Sequence, residues 1–345
     1  MLEGSVQEEM AHMRSGRIVP TPMLPWLPVA TALAYPWVLR LFHAAIASAT
    51  YGVAPALCLA AAFALPLSCI LIAWRYSSGA SDACLLRVRR TAFAALAAPP
   101  LFVLVGVLSG LLHSPIKDVW VWSLLWLVVG ITATITRAEP KREPSSGTIG
   151  RTRVLHGISA SIILLFIGFH LFNHLTGLLG PDVHARVMAF GRVAYRSHAI
   201  EPVLVALLLF QIASGARLAW RWSVGPLDFA RTVQIGSGAY LAAFILTHLN
   251  SAIVSARWVH GIKTDWAWAA GAPDGLLIDA WNTRLVPHYA LGVFFVITHL
   301  FCGLRIVMLA HGVRTSTADR VWKIGLLCAG TVSLLITAAL CGLRI

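Results

Sequence analysis

Charge is scarce in this chain. Of 345 residues only 12% are Asp, Glu, Lys or Arg, whereas 58% are hydrophobic, and the mean hydropathy is +0.77. So little polar material cannot clothe a soluble domain of this length, which leaves a polytopic membrane protein. Acidic residues are the rarest charges, 14 against 27 Lys and Arg, and the isoelectric point is about 10.2. Such an excess can serve nucleic acid, but here the basic residues sit in short loops between apolar runs. That is the distribution of the positive-inside rule, and it excludes a nucleic-acid partner.

Other absences narrow the chemistry. None of the six cysteines forms a CxxC, so neither a zinc ribbon nor a CxxCH covalent haem site is encoded. Five of them lie in or at the ends of apolar runs and read as small hydrophobes. There is no GxGxxG opening a helix after a strand and no cysteine cluster, so nucleotide or iron–sulfur chemistry must come from other chains. The first twenty residues carry Glu3, Glu8 and Glu9 and lack the apolar core of a cleaved signal peptide.

What remains is an all-α bundle. A spanning helix needs about 20 predominantly apolar residues, and nine runs qualify: 24–47, 52–74, 92–113, 119–136, 154–176, 200–220, 234–255, 287–310 and 322–343. The first is interrupted by Pro25, Pro28, Pro36 and Arg40. A polar stretch rich in Pro, Ser and Gly, RAEPKREPSSGTIGR, divides them. The chain therefore reads as a cytoplasmic N-terminal segment (1–23), a four-helix membrane part of unknown role (24–136), a basic cytoplasmic linker (137–153) and a five-helix part (154–345). With nine alternating spans, 17 Lys and Arg fall on one side and 8 on the other. That predicts a cytoplasmic N-terminus and an external C-terminus in a bacterial-type inner membrane.

The N-terminal part is chemically quiet; the five-helix part carries histidines. GFHLFNHL sets His170 and His174 one turn apart near the outer end of the fifth span. Most of the thirteen histidines lie in loops, but His170, His248 and His299 lie well inside spans. An unpartnered imidazole there is costly. The fifth and seventh spans run the same way, and His170 and His248 sit about 16 and 14 residues into them, hence at similar depth at ~1.5 Å per residue. Two imidazoles at one level on different helices can clasp the iron of a haem b from opposite faces, a site suited to electron transfer because no axial position stays open. QIASGAR and HLFCGLR share a second pattern: Gly215 and Gly303 follow Gln211 and His299 by four residues, and Arg217 and Arg305 follow by six. The glycines remove bulk where a flat macrocycle could lie, or simply let helices pack closely. The arginines point toward the inner surface, where propionates could be neutralised.

At RTRVLHG…GFHLFNH, EPVLVALLLFQIASG, GSGAYLAAFILTH and VITHLFCGLRI the chain resembles the five-helix cytochrome b membrane subunit of succinate:quinone oxidoreductases and fumarate reductases, over about residues 151–345. The resemblance implies that His170 and His248 are the axial ligands of the outer haem and that His299 is one ligand of an inner haem. The second inner ligand should be a histidine where this chain has Gln211, so one haem is expected, and a second only with an unusual or missing sixth ligand. It implies quinone as the exchange partner, with Glu201 near the outer quinone region. Separate flavoprotein and iron–sulfur chains would dock on the cytoplasmic side, making this an electron-transfer subunit rather than a complete enzyme. His174 is the histidine of the pair that the family does not use as a ligand. The four N-terminal helices have no counterpart in the family.

Two other classes stay open: a transporter or permease with histidines in a proton path, and a haem-free membrane anchor. Against the transporter, no carboxylate lies deep in a span. The Trp-rich loop 257–287 either caps a cofactor or, the preferred reading, lies in the membrane interface.

Overall fold

The computed structural model describes residues 23–48, 52–77, 83–135 and 146–345. The expected N-terminal segment, except Met23, and most of the linker lie outside the described residues. The protein is an integral membrane helix bundle, with no strand among the described residues. Its helices are α1 (Trp26–Ala47), α2 (Val53–Arg75), α3 (Ala83–Leu96), α4 (Ala98–Leu111), α5 (Asp118–Ile135), α6 (Ser146–Leu175), α7 (Pro181–Tyr195), α8 (Ile200–Trp222), α9 (Phe229–Leu249), the four-residue α10 (Trp266–Ala269), α11 (Leu285–Ala310) and α12 (Thr315–Leu340). Among the described residues eight helical segments are long and apolar enough to cross a membrane. The pair α3 and α4 would make a ninth, but it bends by 62° at Ala97.

That bend departs from the straight 92–113 run expected from hydropathy. Pro99 and Pro100 occupy the first turn of α4, where missing N–H groups cost nothing but where they cannot continue a preceding helix. α3 in turn starts at Ala83, inside the expected basic loop, and buries Arg89 completely. Arg89 donates to the carbonyls of Ser77 (3.3 Å), Gly225 (2.7 Å) and Val224 (3.4 Å). A guanidinium that would be intolerable in a dry interior thus satisfies carbonyls just past the ends of two helices, α2 and α8. α6 likewise starts earlier than expected, at Ser146 within the linker. α7 is a surface helix between the fifth and sixth expected spans that hydropathy did not reveal, because it is too polar to cross.

The last five spans close into a ring. α6 packs on α8, α8 on α9, α9 on α11, α11 on α12, and α12 back on α6. The chain direction alternates, so one end of the ring (the near end) holds the starts of α6, α9 and α12 and the finishes of α8 and α11. The N-terminal helices pack against the outside of this ring, α2, α3 and α4 on α9 and α4 also on α11. The main apolar core follows that seam: Tyr35, Phe102, Trp122 and Trp126 from the N-terminal half continue into Tyr240, Leu291 and Phe295 of the ring. α9 does not end cleanly. From Asn250 to Val259 it continues as a π-helix, a widened winding that is rare and often marks functional sites.

Candidate functional site

The interior of the ring is lined by imidazoles at two levels. His156 and His170 lie 14 positions apart on α6, which at 100° per residue puts them on one face and separates them by ~21 Å.

At the far level, the rings of His170 and His248 have centroids 6.0 Å apart at 69°. Their helices are not ring neighbours; α8 lies between them, and the imidazoles reach across the interior. Phe166 stacks on His170 (5.5 Å, 24°) and Phe244 on His248 (5.8 Å, 12°), each from one turn before the histidine on the same helix. Metal–imidazole bonds of about 2 Å and a ring centre about 1.1 Å behind each nitrogen require about 6.3 Å between the centroids of two axial rings. The observed separation fits one iron between the two. His174 meets His170 edge-on (4.7 Å, 87°).

A cap closes this level. Asn173 Nδ2 donates to His184 Nε2 (3.1 Å), and His184 packs on Trp266 (4.8 Å) and near His174 (5.6 Å). Trp266 is only 5% exposed and covers Gly177, where a Cβ would stand 2.0 Å from its ring. The loop tryptophans therefore divide: Trp266 caps the interior, against the interfacial reading, while Trp258 is exposed. Burial pushes His184 down to about 4, with the Arg192 charge adding to it and Asp265 opposing. Sequence reasoning missed His184, because its short amphipathic helix reads as a loop.

At the near level, His299 of α11 faces His156 of α6, with centroids 6.4 Å apart at 80°. His156 Nδ1 bonds Ser214 Oγ (2.8 Å), and His299 Nδ1 bonds Ser237 Oγ (3.0 Å). Both glycine patterns bear on this level unequally. A Cβ on Gly215 would stand 3.3 Å from His156 Cε1, and one on Gly238 3.0 Å from His299 Cε1, whereas Gly303 faces open space. Gln211 does not turn to His299. Its Nε2 donates to the His156 carbonyl (2.9 Å) and to Ser159 Oγ (2.6 Å). His156 stands in the RTRVLHG stretch, but sequence reasoning did not single it out, because it lies at the start of the apolar run.

The remaining candidates lie at the ends. Glu201 is gripped by both Nη atoms of Arg257, the longer contact being 3.2 Å. Arg305 Nε pairs with Asp319 (2.6 Å), and Arg217 is exposed. A cavity of about 220 Å³ opens at the near end, lined by Asp228, Arg231, Gln234, Cys302 and Arg305 among others. Among the described residues no three His, Cys, Asp or Glu side chains converge to hold a metal ion. No protein-family model, no curated protein and no solved structure matches this chain.

Proposed function

We propose that this is a haem b-containing electron-transfer protein of a bacterial-type inner membrane that exchanges electrons with a membrane quinone. The observation that carries the reading is the His170–His248 pair, two imidazoles from non-adjacent helices at the spacing one axially ligated iron requires. Haem held so would supply reversible one-electron chemistry; the chain's own residues supply its seat. His170 and His248 are the ligands, Phe166 and Phe244 flank them, and the Trp266–His184 cap excludes water. The orientation follows from the basic loops: near end and N-terminus inside, C-terminus outside if the bent α3–α4 pair counts as a span. The resemblance to the cytochrome b subunit of succinate:quinone oxidoreductase extends the reading to flavoprotein and iron–sulfur partners at the near end.

Glu201 belongs to the far rim, on the quinone side of this reading. Its grip by Arg257 means that proton exchange with a quinone would require the ion pair to open. The carboxylates resolved near helices support electron transfer over proton-coupled transport: Asp118, Glu201 and Asp319 each pair with an arginine at a helix end.

The test is a reduced-minus-oxidised optical spectrum of purified protein. A sharp low-spin b-type band that disappears or halves in His170→Ala and in His248→Ala is expected. A colourless wild type, or a band untouched by both substitutions, overturns the proposal. Reduction of the band by added quinol tests the partner.

A further inference from the structure

The near level carries an inference that deepens the electron-transfer reading and rests on it for the identity of the group. We propose that His156 and His299 form a second bis-imidazole iron-tetrapyrrole site, so that α6 provides one axial ligand to each of two sites and Gln211 provides none.

Four observations converge. The first is spacing: 6.4 Å between ring centroids, against the about 6.3 Å that two metal–imidazole bonds demand. The second is tautomer. Ser214 Oγ donates to the Phe210 carbonyl (2.6 Å) and Ser237 Oγ to the Gln234 carbonyl (3.1 Å). Each hydroxyl has spent its one proton, so it accepts from the imidazole Nδ1–H. Both histidines are thereby set with Nε2 unprotonated and available, the arrangement that an outer hydrogen bond imposes on a ligating histidine. Two histidines on different helices, each locked in the same tautomer by a serine on yet another helix, make a built site rather than a chance contact.

The third observation is steric. His156 lies against the α8 backbone at Gly215 and His299 against the α9 backbone at Gly238, and neither position has room for a larger side chain without moving the ring. The fourth is charge. Arg231 and Arg305 both line the 220 Å³ cavity at the near mouth. Asp319 answers Arg305, and Asp228 accepts from the backbone N–H of Arg231. The remaining positive charge suits the carboxylates of a tetrapyrrole. Gln211 is a positioning residue: Ser159 Oγ donates to the Leu155 carbonyl (2.9 Å), so it receives the Gln211 amide, which staples α8 to α6 at the turn carrying His156. With ~21 Å between His156 and His170 along α6, the two sites would together reach across most of the ~30 Å hydrocarbon layer.

The experiment is the haem-to-protein ratio of purified full-length protein by alkaline pyridine haemochrome, with low-temperature optical spectra to resolve two bands. Wild type is expected to hold two haems per chain. His156→Ala and His299→Ala should each keep one, losing the same band, while His170→Ala and His248→Ala lose the other. Gln211→Ala should keep both. His156→Gly with added imidazole should regain the lost band, which separates a missing ligand from a collapsed fold, and the surviving far band in each near-level variant reports that the bundle is intact. One haem per chain, lost with His170 or His248 but untouched by His156→Ala, overturns this inference and leaves the far site standing. Loss of a haem in Gln211→Ala but not in His156→Ala also overturns it. One haem lost only with His156 or His299 sustains this site and sinks the far one; a colourless wild type sinks both.

Discussion

The two halves of this molecule solve the same problem with opposite materials. In the N-terminal helices the interior is filled by hydrocarbon and aromatic rings. Trp122 stands between Phe102 (5.4 Å) and Trp126 (5.6 Å), Tyr35 meets Phe102 edge-on, and Trp122 Nε1 donates to the Ala32 carbonyl (2.8 Å). In the five-helix ring the corresponding interior holds imidazoles, hydroxyls and the amides of Asn173 and Gln211. Lipid tails are as apolar as leucine, so neither half is driven together by water; packing and hydrogen bonds must do it. The N-terminal half relies chiefly on packing, with Arg89 as its buried polar exception. The ring instead pairs polar side chains between helices, His156 with Ser214 and His299 with Ser237. A hydrocarbon-filled half packed against a half with a polar interior is the division that the comparison shows.

The comparison breaks if substitutions in the two halves have like effects. The largest contrast is expected between His248→Ala, which should abolish a whole haem band, and Arg89→Met, which should leave the spectrum unchanged. Arg89→Met strips three carbonyls of a charged donor at the seam and should cost about 2–4 kcal/mol in stability, read as a lower thermal midpoint in detergent. Gly130→Val comes next. Its Cβ would stand 2.7 Å from the Trp26 ring, an overpacking that should cost about 1–3 kcal/mol, again with an intact spectrum. A spectral change in either N-terminal variant would show that this half takes part in the site.

His184 gives a pH test of the cap. Its folded value of about 4 lies below the ordinary histidine value, so the unfolded chain binds the extra proton first. The stability it contributes is therefore full above about pH 6.5 and is lost as pH falls toward 4, on the order of 1–3 kcal/mol. The thermal midpoint should drop over that window in wild type and drop less in His184→Asn. The smallest effect is expected from Trp122→Phe, which loses the hydrogen bond to Ala32 but keeps an aromatic ring, at about 1 kcal/mol.

Much of this was readable in one dimension. Hydropathy located eight of the nine expected spans, because a bilayer imposes a length on every apolar run. It did not foresee the 62° bend at α3–α4, set by two prolines, nor α7, whose mixed composition hides an ordered helix. Depth counting brought His170 and His248 to one level, and the rings do meet there. The same counting matched His299 with Gln211. It compared distances along helix axes and had no access to the rotation of α8 about its own axis, which turns Gln211 toward the α6 backbone.

The amino-acid sequence by itself determined that the chain lives in a membrane as helices and that imidazoles enter three of the last five of them, since both follow from transfer free energies and local periodicity. Which imidazoles become partners was decided only when the ring closed. Closure sets which helix stands opposite which, and no repeat of 3.6 residues carries that information. His156 faces His299 because α6 is wedged between α8 and α12 with its histidine face inward, a fact of packing rather than of pattern.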